Sequence, residues 1–158
     1  MYSNAHVKNW NGILTTTNSK IKIISNPNDN VVRGSIWTNG GWAEEEIIRL
    51  KKVISNLKNN KEPKNLLVVG AHIGSVVLEI SNKFKVVDTV EANPENFSLL
   101  KLNIAINAIL NICPFNFLVS DNSNYKEFLL HPSNTGGSKI MPIFKNPEYF
   151  KEIAQFSK

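Results

Sequence analysis

The most informative part of this chain is a pair of apolar segments. Each is followed by residues that suit a nucleotide-type ligand. The first ends in a glycine-bearing turn, Gly70-Ala71-His72-Ile73-Gly74. The second ends in an acidic residue, Glu91, about twenty positions beyond the first glycine. In a parallel sheet the ends of two such strands lie side by side, so a ligand can approach the glycine backbone while Glu91 accepts hydrogen bonds from both ribose hydroxyls. The spacing predicts half of a nucleotide-binding site.

The segments around this site alternate between strand and helix. We predict strands over 66–71, 86–92 and 113–119, with helices over 74–84 and 95–109 between them. This alternation implies right-handed βαβ units, and therefore an α/β fold with a parallel sheet. The nearly continuous apolar character of 66–71 predicts a first strand buried on both faces.

The rest of the chain is less regular. Residues 1–19 are polar and without clear periodicity, so we interpret them as an arm, and residues 20–158 as one domain. The further predicted elements are strands over 21–24 and 31–37, an amphipathic helix over 42–57, a strand over 125–131, a turn over 134–138 and a terminal helix over 147–156.

The length and composition of the chain limit the kinds of protein that it can be. The chain has 158 residues, 42% of them hydrophobic, which suits a single compact domain. It has no apolar run of roughly 20 residues and no leader-like start, so a cytoplasmic protein without a membrane span is expected. The single Cys113 excludes an internal disulfide and a thiolate metal site; its apolar neighbours predict burial. The net charge of +5 comes from dispersed lysines, so nucleic acid is not an expected partner.

The second half of the predicted site resembles a known family. The segment Val90-Glu91-Ala92-Asn93-Pro94-Glu95-Asn96-Phe97, together with the glycine turn and the helix Leu99 to Asn107, is similar to the FkbM-type class I S-adenosylmethionine-dependent methyltransferases. Other similar segments, which extend the resemblance over roughly residues 21–142, are Asp29, Gly41-Trp42, Glu44-Glu45, Val119-Ser120-Asp121 and Gly136-Gly137-Ser138.

The resemblance implies a Rossmann-like parallel sheet, shortened, with helices on both faces and an N-terminal strand and helix extension. It also implies S-adenosylmethionine as the cofactor, with its methionine portion against the glycine turn, its ribose on Glu91 and its adenine amino group on Asp121. The implied cofactor-binding residues are Gly70, Ala71, His72, Gly74, Glu91, Ala92, Asn93 and Asp121. Structural alternatives stand beside these roles: the glycines also suit a tight turn, Glu91 a solvated strand end, and Asp121 a turn.

The chain departs from the family pattern at three places. Val68 replaces an acidic residue before the first glycine, and His72 replaces the usual asparagine. The segment 139–144 is too short for the family's fourth strand, and Pro142 would remove a ladder hydrogen bond. The first strand therefore becomes a sheet edge, which we expect to be covered by the amino-terminal segment, the carboxyl-terminal helix, a second copy or another partner chain.

Two classes of function follow. The resemblance implies methylation of a hydroxyl on a small molecule or saccharide. His131 and Glu44 are candidate bases by their ability to titrate or accept a proton, and His72 is a less expected one because it lies on the cofactor turn. The alternative is a reduced methyltransferase-like binding module that needs a partner chain or homo-oligomer. An NAD-dependent oxidoreductase is disfavoured because the glycine turn lacks the close Gly-x-Gly spacing that receives a pyrophosphate.

Overall fold

The computed structural model describes residues 12–58, 65–121, 126–140 and 152–156. Its elements, in chain order, are β1 (Ile13–Thr16), β2 (Lys22–Ser25), α1 (Val32–Asn39), α2 (Glu44–Lys58), β3 (Asn65–Val69), α3 (Val77–Ile80) with a following 3-10 turn (Ser81–Lys83), β4 (Val86–Val90), α4 (Pro94–Ile106), β5 (Ile112–Phe115), β6 (Lys126–Leu130), a second 3-10 turn (Thr135–Gly137), β7 (Lys139–Ile140) and β8 (Glu152–Phe156). Among the described residues, no helix has the length and apolar character to cross a membrane.

A parallel three-stranded sheet lies at the centre of the fold. Its strand order is β3-β4-β5, with Leu66 beside Val87 and Val87 beside Ile112. The predicted α/β class with a parallel sheet is confirmed. β3 pairs only with β4 in the described structure, so it forms the edge that the sequence predicted.

The hydrophobic core lies on one face of this sheet. The side chains of Leu66, Val87 and Ile112 pack there against α3 and α4. On the opposite face, Leu67 and Val69 remain 64% and 56% exposed. The prediction that this strand is buried on both faces is therefore wrong. The sequence predicted helices on both faces of the sheet. Within the described residues, the helices cover one face.

The handedness of the connections explains this one-sided core. The chain passes from β3 through α3 to β4 and from β4 through α4 to β5, moving in the same direction across the sheet. Two right-handed crossovers in one direction place both helices on the same face, and covering the other face requires the strand order to reverse. Cys113 was predicted to be buried, but it is exposed, because it follows the buried Ile112 in β5 and therefore lies on the uncovered face of the sheet.

A matched pair of leucine substitutions tests this one-sided core. Leu100→Ala, on the fully buried side of α4, should lower the free energy of unfolding by about 2–5 kcal/mol because it leaves a cavity. Leu67→Ala, on the open face, should cost less than about 1 kcal/mol. Urea unfolding measures both. Equal losses would show that the outer face of β3 is packed in solution.

Two predicted elements near the amino terminus have a different structure. Residues 13–16, assigned to an arm, form β1 and pair antiparallel with β2; residues 1–11 lie outside the described part. Residues 31–37, predicted as a strand, form α1 instead. Asp29 explains the helix, because its Oδ1 accepts hydrogen bonds from the amides of Val31 and Val32, both at 2.9 Å. These two bonds hold the first amides of α1 and favour the helix over the strand that the β-branched residues here predicted.

Asn103 on α4 and Asn107 directly after it hold the second strand of the amino-terminal hairpin. Asn103 accepts a hydrogen bond from the Ile24 amide at 2.6 Å and donates to the Ile24 carbonyl at 3.0 Å. One helical turn later, Asn107 makes the same pair of bonds with Lys22. Side chains four residues apart on a helix face the same direction, as do alternate backbone groups along a strand edge. α4 therefore takes the place of a neighbouring strand for β2.

A small antiparallel sheet, ordered β7-β6-β8, contains the carboxyl-terminal strands. Residues 152–156, predicted as the end of a helix, pair along their full length with residues 126–130. The prediction was wrong because strand pairing with a distant segment leaves no local signal; residues 147–151 lie outside the described part. The predicted strand near 125–131 and the turn near 134–138 correspond to β6 and the second 3-10 turn.

Candidate cofactor site

The two glycines of the turn after β3 have different roles. Both have positive φ, +79° at Gly70 and +92° at Gly74. A methyl group added to Gly70 would meet no atom within 4 Å, whereas one on Gly74 would lie 2.8 Å from Leu100 Cδ1. Gly70 thus leaves open backbone that a ligand can approach, while Gly74 allows α4 to pack closely. The structural alternative to cofactor binding, a glycine needed for the tight turn, therefore applies to Gly74.

Glu91 joins the end of β4 to the glycine turn. Its Oε2 accepts a hydrogen bond from the His72 amide at 2.7 Å, and its Oε1 accepts one from the Asn93 amide at 2.8 Å. Burial raises the pKa of this carboxyl, and the hydrogen bonds from the backbone and from Asn96 oppose that shift. Glu91 is therefore not a solvated strand end: it binds the turn to the sheet and presents its remaining acceptor capacity to the pocket.

His72 connects three distant segments of the chain. Its Nε2 lies 2.7 Å from Thr135 Oγ1, and the Thr135 hydroxyl donates to Asp29 Oδ2 at 2.5 Å. Because a threonine hydroxyl has one proton, and this one goes to Asp29, Thr135 must accept from a protonated Nε2. His72 is then the Nε2–H tautomer, and its Nδ1 has no proton. Burial lowers the pKa of His72, although the Asp29 charge opposes this shift.

A pocket of about 410 Å³ opens at the carboxyl ends of β3 and β4. Its polar wall contains Glu91, Asn96, His72 and the 3-10 turn at Thr135. The lining residues that the structure describes include no lysine or arginine. They are Val32, Trp42, Val69, Gly70, His72, Val90, Glu91, Ala92, Asn96, Phe117, Leu118, Val119, Phe128, Thr135, Gly136 and Ser138.

The structure brings four of the eight predicted cofactor residues to this pocket: Gly70, His72, Glu91 and Ala92. Asn93 instead caps α4, since its Oδ1 accepts from the amides of Glu95 and Asn96. Ala71 and Gly74 are buried within the turn.

Asp121 is exposed at the end of a described segment and is not part of the pocket wall. The preceding residues 117–119 line the pocket in its place. The position of Asp121 does not support its predicted contact with an adenine amino group.

The two candidate bases lie outside this pocket. Glu44 is exposed and accepts a hydrogen bond from the Asn18 side chain at 3.1 Å. His131 Nδ1 accepts from the amides of Ser133 and Asn134, so it shapes the loop before the second 3-10 turn. Neither residue faces the cavity in a way that suits proton transfer from a bound acceptor.

Sequence reasoning missed Asn96, Thr135 and Phe117 as pocket residues. Asn96 follows the recognised Glu-Ala-Asn-Pro segment, and its position in the first turn of α4 was an available signal. Thr135 comes next to the glycines of the 3-10 turn, but its contacts with His72 and Asp29 are long-range and leave no local pattern. Phe117 follows β5 at the same sheet edge as Glu91, so strand-end geometry pointed to it.

The environment of His72 predicts a pH dependence of stability. Because the pKa of His72 in the folded state lies below the ordinary histidine value of 6.5, the unfolded chain binds the proton first as pH falls. The free energy of unfolding should therefore decrease from about pH 6.5 downwards, until the folded state also binds the proton. The contribution of Glu91 to the free energy of unfolding has the opposite pH dependence, because its raised pKa favours the folded state at acid pH.

Comparison with His72→Asn separates these two contributions. Urea unfolding at pH 7.5 and 5.5 should show a larger acid loss for the wild type than for His72→Asn, because Glu91 is present in both proteins. Parallel pH curves for the two proteins would contradict a buried neutral His72.

The chain is similar in part to several solved structures. It matches Pyrococcus horikoshii TYW2 in complex with MeSAdo at 20% identity, over 68% of this chain and 36% of that one, with a TM-score of 0.46. It matches M. jannaschii TYW2 in complex with AdoMet at 21% identity, over 77% of this chain and 48% of that one, with a TM-score of 0.47. It matches Bacillus subtilis YcgJ at 15% identity, over 46% of this chain and 30% of that one, with a TM-score of 0.41.

The chain spans less than half the length of each of these three structures. No protein-family model and no curated protein matches the chain.

Proposed function

We propose that the pocket binds S-adenosylmethionine and that the protein is a methyltransferase that uses it. The observation that carries this proposal is the charge of the pocket. Glu91 lies in its wall and the buried Asp29 lies behind His72, whereas the described lining contains no lysine or arginine. A ligand with a sulfonium and an ammonium is favoured beside carboxylates, and a dinucleotide pyrophosphate is disfavoured there.

The arrangement of the walls supports an orientation for this ligand. The apolar side chains of Phe117 and Leu118, with Ala92, suit the flat face of an adenine. The open backbone at Gly70 suits the methionine portion. His72 lies in the same wall, and its lowered pKa keeps it neutral at pH 7, so that it does not repel a cation.

The chemistry proposed is methylation of a hydroxyl on a small molecule or saccharide. When bound, the cofactor supplies an electrophilic methyl group on a sulfonium. The protein contributes by holding the acceptor oxygen in line with that methyl group, and such positioning is worth up to roughly 7–11 kcal/mol in favourable cases. The family resemblance of the Glu91 to Phe97 segment supports the oxygen acceptor.

Calorimetric titration tests the proposal. S-adenosylmethionine and its demethylated product, S-adenosylhomocysteine, should bind the wild-type protein, and NAD should not. Glu91→Ala should abolish binding, whereas Glu45→Ala, which removes an exposed carboxylate on α2, should leave it unchanged. Binding of NAD without binding of the other two would overturn the proposal in favour of a dinucleotide site.

A second candidate is a methyltransferase-like module that works by association with another chain. The exposed apolar face formed by Leu67, Val69 and Phe115 favours it, because such contiguous apolar surface is typical of interaction sites. Light scattering separates the two candidates when read with the titration. A dimer without cofactor binding would support the module, and a monomer that binds the cofactor would support the enzyme alone.

A further inference from the structure

His72 has an acceptor atom that no hydrogen bond among the described residues uses. Its Nε2 carries the ring proton and donates to Thr135 Oγ1, which leaves a lone pair on Nδ1. In the described part of the chain, the enclosed side-chain atoms without a partner are Thr89 Oγ1 and Asn96 Oδ1. His72 Nδ1 is not among these enclosed atoms, and the side chain is 15% exposed in the pocket wall. A ligand in the pocket can therefore donate to Nδ1.

Two contacts hold the His72 ring in this orientation. The backbone of His72 has a φ of +53°, and its amide is bonded to Glu91 Oε2 at 2.7 Å. The ring is bonded to Thr135 at 2.7 Å. Turning the ring over by half a turn would place Cε1 instead of Nε2 against Thr135 Oγ1 and break that bond. The unprotonated Nδ1 therefore keeps its place.

The charges around the ring determine which donor suits Nδ1. Asp29 Oδ2 lies 3.7 Å from His72 Nε2, and Glu91 lies in the same pocket wall. The described lining contains no lysine or arginine to balance them. An anionic group would be repelled by both carboxylates and would find no proton on Nδ1. An ammonium group is attracted by the same carboxylates and donates to Nδ1 in a charge-assisted hydrogen bond.

We propose that His72 Nδ1 accepts a hydrogen bond from the ammonium group of the cofactor's methionine portion. This inference rests on the proposed function and adds a specificity residue to the same site. The methionine portion is favoured because His72 lies on the same turn as Gly70, whose open backbone suits it, whereas the apolar Phe117 and Leu118 suit the base. Thr135 and Asp29 are positioning residues in this arrangement, because they fix the ring proton on Nε2.

Calorimetric titration with two ligands and two proteins tests the proposal. The ligands are S-adenosylhomocysteine and its analogue with hydrogen in place of the α-amino group. The proteins are the wild type and His72→Leu, which removes both ring nitrogens. His72→Leu should bind S-adenosylhomocysteine about tenfold more weakly than the wild type does, as expected for one hydrogen bond to a charged group. It should bind the analogue with the wild-type affinity, because that ligand has no ammonium group to lose a partner.

His72→Asn is the matched control, because its Oδ1 can replace Nδ1 as the acceptor but does not titrate. At pH 7.5 it should bind S-adenosylhomocysteine nearly as tightly as the wild type. At pH 5.0 the wild type should lose more affinity, since a protonated Nδ1 cannot accept and its charge repels the ammonium group. The other titratable groups that face His72 are Asp29, before α1, and Glu91, at the end of β4. Both proteins retain them, and the 3-10 turn at Thr135 adds none.

The outcomes separate this inference from the proposed function. If the wild type does not bind S-adenosylhomocysteine, the proposed function fails, and this inference with it. If it binds, but His72→Leu weakens both ligands by the same factor, only the His72 assignment is overturned, because the side chain then acts through the shape of the turn. Should His72→Leu not fold, His72→Asn decides: an equal loss of affinity at acid pH in this variant and in the wild type overturns the inference.

Discussion

Replacing Glu91 with alanine should abolish cofactor binding and lower the free energy of unfolding by about 2–4 kcal/mol. The loss of stability follows because two backbone donors, the amides of His72 and Asn93, would lose a charged acceptor in a buried site. The loss of binding follows because the glycine turn is held against β4 by the same carboxylate. Urea unfolding and calorimetric titration measure the two effects separately.

Two further variants sharpen this prediction. Glu45→Ala removes a carboxylate from the exposed surface of α2, so it should change stability by less than about 0.5 kcal/mol. Glu91→Gln keeps the shape but turns one acceptor into a donor that faces a backbone amide, so it should lose much of the same stability. Wild-type stability in Glu91→Ala would show that Glu91 is only a solvated strand end.

Replacing Asn103 with alanine should lower the free energy of unfolding by about 3–5 kcal/mol. The fully buried Asn103 side chain pairs with the amide and carbonyl of Ile24 and donates to the carbonyl of Ile73 at 2.8 Å. Removing it leaves one buried and two partly buried backbone groups without this partner, and it removes one of the two asparagine links that hold β2. Since small domains are stable by about 5–15 kcal/mol, such a variant should be close to unfolding at 37 °C.

Asn107→Ala is the matched control for this prediction. Asn107 makes the same type of contact with Lys22, but those bonds are exposed, so water can replace them and the cost should be about 1 kcal/mol. Urea unfolding of both variants gives the comparison. If Asn103→Ala costs no more than Asn107→Ala, the side chain is not the support of the hairpin.

The parts of the fold that the sequence predicted well are those with local causes. The glycine turn, the acidic end of β4 and the start of α4 all lie within one strand–turn–helix pattern, and the structure places them as expected. Their roles were harder to predict than their positions. Gly74 and Asn93 were both expected to bind the cofactor. Instead, Gly74 allows α4 to pack closely, and Asn93 caps the start of α4.

The remaining features depend on contacts between distant residues. The link from His72 through Thr135 to Asp29 joins residues more than a hundred positions apart, and β8 becomes a strand because β6 offers it an edge. In the structure, Asn103 satisfies backbone groups of β2, and Asn111 and Asn116 satisfy carbonyls at the ends of strands and turns.

Nuclear magnetic resonance of the ¹⁵N-labelled protein, titrated with S-adenosylhomocysteine, tests most directly that the pocket at the ends of β3 and β4 is a cofactor site. If this pocket holds the cofactor, the largest shifts should occur at the amides of Gly70, His72 and Ala92 and at the side-chain amide of Asn96, which surround it. Residues on the far side of α2 should not respond. If saturating ligand leaves those four signals unchanged, or shifts only signals elsewhere, the pocket at the ends of β3 and β4 is not the cofactor site.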